Sequence, residues 1–159
     1  MASRNIKDCT ESLQAKIKKF TIAMFDAGIP FVITCTARTV KEQVALYAQG
    51  RDDLVIVNML RCAAGLPPID EEANQRKVTW TLKSNHLIDL DDQISDNDKS
   101  RAFDIAIVHA GKPVWDVKVD VNADSIPDYE QAGKIGESVG LRWGGRFRRP
   151  DMPHFEDIL

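Results

Sequence analysis

Apolar residues recur at helical spacing between Thr10 and Pro30. Leu13, Ile17, Phe20 and Met24 fall on one face of an amphipathic helix, with Thr10 as its N-cap and Gly28 and Pro30 as its stop. The run "FVITCTA" then reads as a strand, with Phe31, Ile33 and Cys35 on one side. "TVKE", from Thr39 to Glu42, forms a capping box that opens a second helix, "QVALYAQG", ended by Gly50. Residues 52–80 mix an apolar run with the breaker "GLPP" and a charged stretch, which predicts part helix and part surface loop.

Further on, the alternation of "RAFDIAIV" predicts a strand with Ala102, Asp104 and Ala106 on one face and Phe103, Ile105 and Ile107 on the other. "HAGKP" is a turn and "VWDV" a returning strand, so residues 101–117 read as a hairpin. "DSIPDYEQAGKIGESVGL" predicts a helix capped by Asp124 or Ser125, with Pro127 in its first turn, Tyr129, Ile135 and Val139 inward, and Gly140 at its end. No repeat and no linker divides the chain, so residues 1–159 read as one domain. Helices and antiparallel strands mix without a βαβ rhythm, which gives an α+β class.

Composition narrows the function. With 43% hydrophobic residues, 28% charged residues and a net charge of −3, the chain lacks the basic excess of a nucleic-acid binder. No apolar run approaches a membrane span. "MASRNIKDCTES" lacks the apolar core of a signal peptide, so the expectation is a protein held in the cytoplasm until something releases it. The three cysteines are an odd count without a CxxC pair, against both a disulfide framework and a cysteine zinc site; Cys35 reads as a small buried hydrophobe.

Three histidines carry the candidate chemistry. His109 sits in the hairpin turn and reads as solvated, leaving His86 and His154. Asp104 raises their interest, because a carboxylate in an apolar strand is expensive to bury unless it is paired or metal-bound. Two imidazoles and one carboxylate make a three-ligand zinc set with one open position. Hydrolysis there needs a base. Asp151, three residues before His154, is one candidate, and Glu156, two residues after it, is the rival. Arg38, at a strand-to-helix junction, could grip a substrate carboxylate or be a plain surface arginine.

Taken in order, Arg38 with Gln43, Leu46 and Tyr47, then "SNH", "SRAFDIAI", "GKPVWD", "GLRWGG" and "DMPHFE" resemble the zinc L-alanyl-D-glutamate endopeptidases of bacteriophage lysis. These are relatives of the D-alanyl-D-alanine carboxypeptidases and dipeptidases, and the resemblance spans roughly residues 30–157. It implies a compact fold of the DD-peptidase and Hedgehog type, a small antiparallel sheet flanked by helices. It implies zinc on His86, Asp104 and His154, Asp151 as general base, and Arg38 and Ser84 assisting the substrate or transition state. The implied reaction is cleavage of the L-Ala–D-Glu bond in peptidoglycan stem peptides, by a monomer that reaches the wall once a holin opens the host membrane. A D,D- or L,D-carboxypeptidase on the same scaffold is the near alternative. A non-catalytic, zinc-containing wall-binding domain is the distant one, against which Asp151 argues.

Two departures stand out. The family places its aspartate seven residues after the first histidine; here that slot holds Gln93, and "RAFD" arrives eleven residues later. Residues 87–99 then read as an acidic insertion, whose Asp89, Asp91, Asp92, Asp96 and Asp98 raise the option of a second, calcium ion. The other departure is Arg146 and Phe147 after "WGG", which with Arg142, Arg148 and Arg149 predict a basic patch beside the cleft.

Overall fold

The computed structural model describes residues 2–88 and 98–158. Its first long helix, α1 (Glu11–Asp26), is capped by the Thr10 side chain, which accepts from Leu13 N. The predicted stripe of Leu13, Ile17, Phe20 and Met24 is buried. It packs on one face of an antiparallel sheet made of β1 (Phe31–Cys35), β4 (Ala102–His109), β7 (His154–Asp157) and β6 (Leu141–Trp143), in that order. The short β5 (Lys112–Val114) pairs with the end of β4. Phe20 sits at the centre, with its ring centroid 5.7 Å from Phe103 and 5.0 Å from Phe155. Replacing it with alanine would cost about 3–5 kcal/mol.

On the same side of the sheet lies α5 (Asp128–Ser138), which buries Tyr129 and Ala132 in the same core. Its glycines let the helix come close: a Cβ at Gly133 would fall 2.2 Å from the Trp143 ring, and one at Gly136 2.5 Å from the Phe155 ring. This clamps β6 and β7 against the helix, and β7 begins at His154. The α+β class is borne out.

The remaining helices, α2 (Val40–Ala48), α3 (Leu54–Ala63) and α4 (Glu71–Asn74), form a lobe tied by polar side chains. The capping box of Thr39 and Glu42 forms as predicted. Gln43 Nε2 donates to Thr81 O at 2.7 Å, which anchors the loop leading toward His86. A two-residue parallel pair, β2 (Arg38–Thr39) with β3 (Leu87–Ile88), closes the lobe onto the sheet. No helix among the described residues is long and apolar enough to cross a membrane.

Three local expectations change. Strand β1 carries a register shift between Ile33 and Cys35, so Cys35 pairs with Asp104 while Ile33 pairs with Ile105. The bulge turns Cys35 away from the core side that Ile33 faces and onto the side of Asp104. The hairpin is shorter than 101–117, since its second strand stops at Val114. Helix α5 begins at Asp128, with Pro127 at the N-cap and no side-chain cap, so neither Asp124 nor Ser125 caps it. Pro127 keeps an extended ψ of 129° at the N-cap, and Asp124 and Ser125 belong to the preceding loop instead.

Candidate metal centre

Side chains from three separate segments meet on the face of the sheet opposite α1. His86 arrives from the turn before β3, Asp104 from the middle of β4, and His154 from the first position of β7, where it pairs directly with Asp104. His86 Nε2 lies 3.1 Å from Asp104 Oδ1 and 3.2 Å from His154 Nδ1, and His154 Nδ1 lies 3.0 Å from the same Asp104 oxygen. The structure thus brings His86, Asp104 and His154 into one triangle.

The nitrogen facing away from the triangle has a partner on each imidazole. His86 Nδ1 faces Thr36 O at 3.1 Å, and His154 Nε2 faces Glu156 Oε2 at 3.2 Å. If each donates its proton outward, Nε2 of His86 and Nδ1 of His154 present lone pairs to the same point as the carboxylate. Three lone pairs aimed at one point repel unless a cation sits there. Ligand atoms of a tetrahedral ion bound at ~2.0–2.1 Å stand roughly 3.3 Å apart, close to the spacing seen, so the donor set fits zinc in number, chemistry and span.

Without a cation, protons do that work. Burial lowers the His86 pKa, but the Asp104 carboxylate outweighs it and raises it to about 10. Burial likewise opposes the charge on His154, and Asp104 and Glu156 raise it. For Asp104, burial raises the pKa, yet the two imidazoles hold it well below the usual carboxylate range.

Cys35, His86 and Asp104 also lie close enough to suggest a metal group. Cys35 Sγ, however, sits 3.6 Å from His86 Nδ1, the nitrogen on the far side of the ring from the triangle. A thiol there backs the imidazole rather than completing its lone-pair set.

Glu156 is a further ring-backing group. Its carboxylate accepts from Asn85 Nδ2 at 2.8 Å and from Arg142 Nη1 at 3.0 Å, in addition to His154. The His154 contact, opposed by burial and joined by Asn85, holds its pKa down at about 2. Asn85, next to His86 in "SNH", was silent in the sequence because its role depends on β7 lying alongside.

Asp151 stands on the cleft wall. The chain from Gly144 folds back so that Asp151 N donates to Gly144 O at 2.9 Å, and a Cβ at Gly144 would fall 2.4 Å from Asp151 O. Its carboxylate has no hydrogen-bond or ion-pair partner among the described residues. Burial and the nearby Asp104 charge raise its pKa, against the pull of His154, His86 and Arg38. Arg38 Nη2 reaches Asp104 Oδ2 at 3.5 Å, and its backbone N donates to His86 O at 2.8 Å. Ser84 Oγ accepts from His86 N at 3.2 Å and so shapes the turn that presents that histidine.

All six sequence-predicted residues line one cleft of about 730 Å³. Arg142, Arg148 and Arg149 line it too, but Arg146 does not: it pairs with Glu137 at 2.9 Å. Opposite stands Trp80, unremarked in the sequence, with the Arg149 guanidinium 4.2 Å from its ring centroid. Gln93 and most of the acidic insertion, including Asp89, Asp91, Asp92 and Asp96, lie outside the described residues, so the second-ion expectation there does too.

A family model described as D-alanyl-D-alanine carboxypeptidase matches residues 91–157, the stretch that holds Asp104, Asp151 and His154. The chain is 28% identical over 138 residues to the peptidoglycan L-alanyl-D-glutamate endopeptidase CwlK of Bacillus subtilis (strain 168). That match covers 86% of this chain and 65% of the relative, so the chain spans about two thirds of the relative's length. A fold match to the crystal structure of the Serratia marcescens L-Ala D-Glu endopeptidase ChiX has a TM-score of 0.55 at 17% identity, covering 99% of this chain and 89% of that one. The chain therefore resembles the L-alanyl-D-glutamate endopeptidases of the zinc DD-peptidase family, in motif order and in fold.

Proposed function

We propose that the chain is a zinc-dependent peptidase, one catalytic domain over residues 1–159, that hydrolyses the L-Ala–D-Glu bond of peptidoglycan stem peptides. The observation that carries this reading is the triangle of His86, Asp104 and His154, with Asp151, which has no partner among the described residues, in the same cleft. CwlK, an L-alanyl-D-glutamate endopeptidase, supports the choice of bond.

His86, Asp104 and His154 would hold the zinc, and the ion would supply Lewis acidity there. Asp151 takes the proton of the attacking water and returns it to the leaving amine. Its raised pKa and lack of a partner suit a group that must accept and release a proton. Arg38 contacts Asp104 and turns its remaining donors toward a substrate carboxylate, while Ser84 sets the His86 turn. Arg148 and Arg149 draw the anionic stem peptide into the cleft. Glu156, the sequence's rival base, keeps the His154 lone pair pointed inward.

The resemblance carries a lytic setting, in which a monomer reaches the wall after a holin opens the host membrane. The test is digestion of purified peptidoglycan with identification of the new ends. A free D-Glu amino terminus, absent with Asp151→Asn, is expected. Release of terminal D-Ala without that terminus would make the chain a carboxypeptidase instead, and no cleavage at all would leave only wall binding.

A further inference from the structure

The loop that leads into α5 reads Asp120-Val-Asn122-Ala-Asp124-Ser125-Ile126-Pro-Asp128, running on to Gln131. Oxygen-bearing side chains stand at its first, third, fifth and ninth positions, the spacing of a calcium loop that runs into a helix. Such spacing alone describes many solvated turns. A buried atom separates this loop from them.

Asp128 is fully buried, and its Oδ1 has no hydrogen-bond partner among the described residues. Its Oδ2 accepts from Val121 N at 2.7 Å, which points the carboxylate back into the loop. The charges of Asp120 and Asp124 bear on it from the same loop. A buried carboxylate with an oxygen that has no partner among the described residues, facing two like charges against His109, is short of counter-charge. A cation between them would supply it.

The rest of the loop is already folded around that place. Asp120 Oδ2 accepts from Ser125 N at 2.9 Å, and Asp120 Oδ1 from Asp124 N at 3.2 Å, so the first residue ties the turn at the sixth. Ser125 has φ +71°, the left-handed backbone that a calcium loop usually assigns to glycine at its sixth position. Asn122 Nδ2 donates to Gln131 Oε1 at 3.2 Å, which brings the twelfth position against the third.

We infer that residues 120–131 form a calcium site, with Asp120, Asn122, Asp124 and Asp128 as side-chain ligands and the Ile126 carbonyl as a backbone ligand. An all-oxygen set spread over a loop suits calcium better than magnesium, which demands a tight octahedron. Gln131 replaces the bidentate glutamate that closes stronger sites, so affinity falls in the range of about 10⁻⁴–10⁻³ M. The ion would fasten the loop to α5, and through Gly133 and Gly136 to the strands that carry His154.

The experiment follows thermal unfolding and calorimetry of the zinc-loaded full chain during calcium chloride titration. At about 10 mM calcium the midpoint should rise by about 3 °C or more, with a saturable heat of one ion per chain, and magnesium should do far less. Asp120→Asn and Asp124→Asn change exposed side chains and should abolish both responses. The double variant Asp91→Asn/Asp92→Asn, in the acidic insertion, should keep them. No shift and no heat in the natural chain would overturn the site. So would responses that survive both loop variants or vanish in the insertion variant.

Discussion

His86 Nε2 and His154 Nδ1 face each other at 3.2 Å, with one oxygen of Asp104 within 3.1 Å of both. Two ring nitrogens at that distance cannot both be bare unless something positive lies between them. In the metal-free chain protons fill the role, and the raised histidine and depressed aspartate pKa values are the sign of it. A zinc ion there would do the same with one centre.

Glu156 backs the His154 ring nitrogen that faces away from the triangle. Glu156→Ala should weaken zinc binding by about 10–100-fold, because the ring loses the acceptor that fixes its tautomer. Competition against a chromophoric chelator measures this. Activity should return at saturating zinc. If it stays lost, Glu156 does more than orient.

Asp151→Asn should retain one zinc per chain and lower kcat by about 10²–10⁴. Thermal stability should hold or rise slightly, since the change removes a carboxylate that the Asp104 charge repels. Lysis at the natural rate would move the base elsewhere.

The metal-free chain should lose stability at both pH extremes. The His86 pKa is raised from 6.5 to about 10, so its contribution is complete below pH 6.5 and disappears as pH rises through about 10. Glu156 is lowered from 4.5 to about 2, so its contribution is complete above pH 4.5 and disappears as pH falls through about 2. Unfolding midpoints of the chelated protein across pH 3–10.5 test the signs. Zinc needs neutral imidazole, so uptake at pH 7 should release protons, visible as a buffer-dependent calorimetric enthalpy. A buffer-independent enthalpy would contradict the protonated site.

Gly133→Ala should destabilise the fold by about 1–3 kcal/mol, because the added methyl runs into Trp143. Trp143 Nε1 donates to Met152 O at 2.9 Å, so a displaced ring also disturbs the segment between Asp151 and His154. Denaturant midpoint and zinc affinity should therefore fall together. A stable variant with unchanged zinc affinity would separate the helix from the site.

Much of this was legible in the chain because the signals were local. The Thr10 and Thr39 caps, the α1 stripe and a carboxylate inside "RAFDIAIV" need no partner from elsewhere to be read. Cys35 was misplaced because a bulge, not alternation, decides which face it joins, and one extra residue flips it. Asn85 and the ring-backing role of Glu156 depend on β7 lying beside β4, a pairing about fifty residues apart in the chain that periodicity cannot express. The Asp120, Asn122 and Asp124 spacing is visible in the sequence, but only the burial of Asp128 distinguishes it from an ordinary turn.

The most direct test of the central claim is anomalous scattering at the zinc edge from crystals of the zinc-loaded chain. One strong peak bonded to His86 Nε2, Asp104 Oδ1 and His154 Nδ1 is expected, with Asp151 near it but not bonded. A peak bonded to Cys35 Sγ, or no peak within reach of His154, would contradict it.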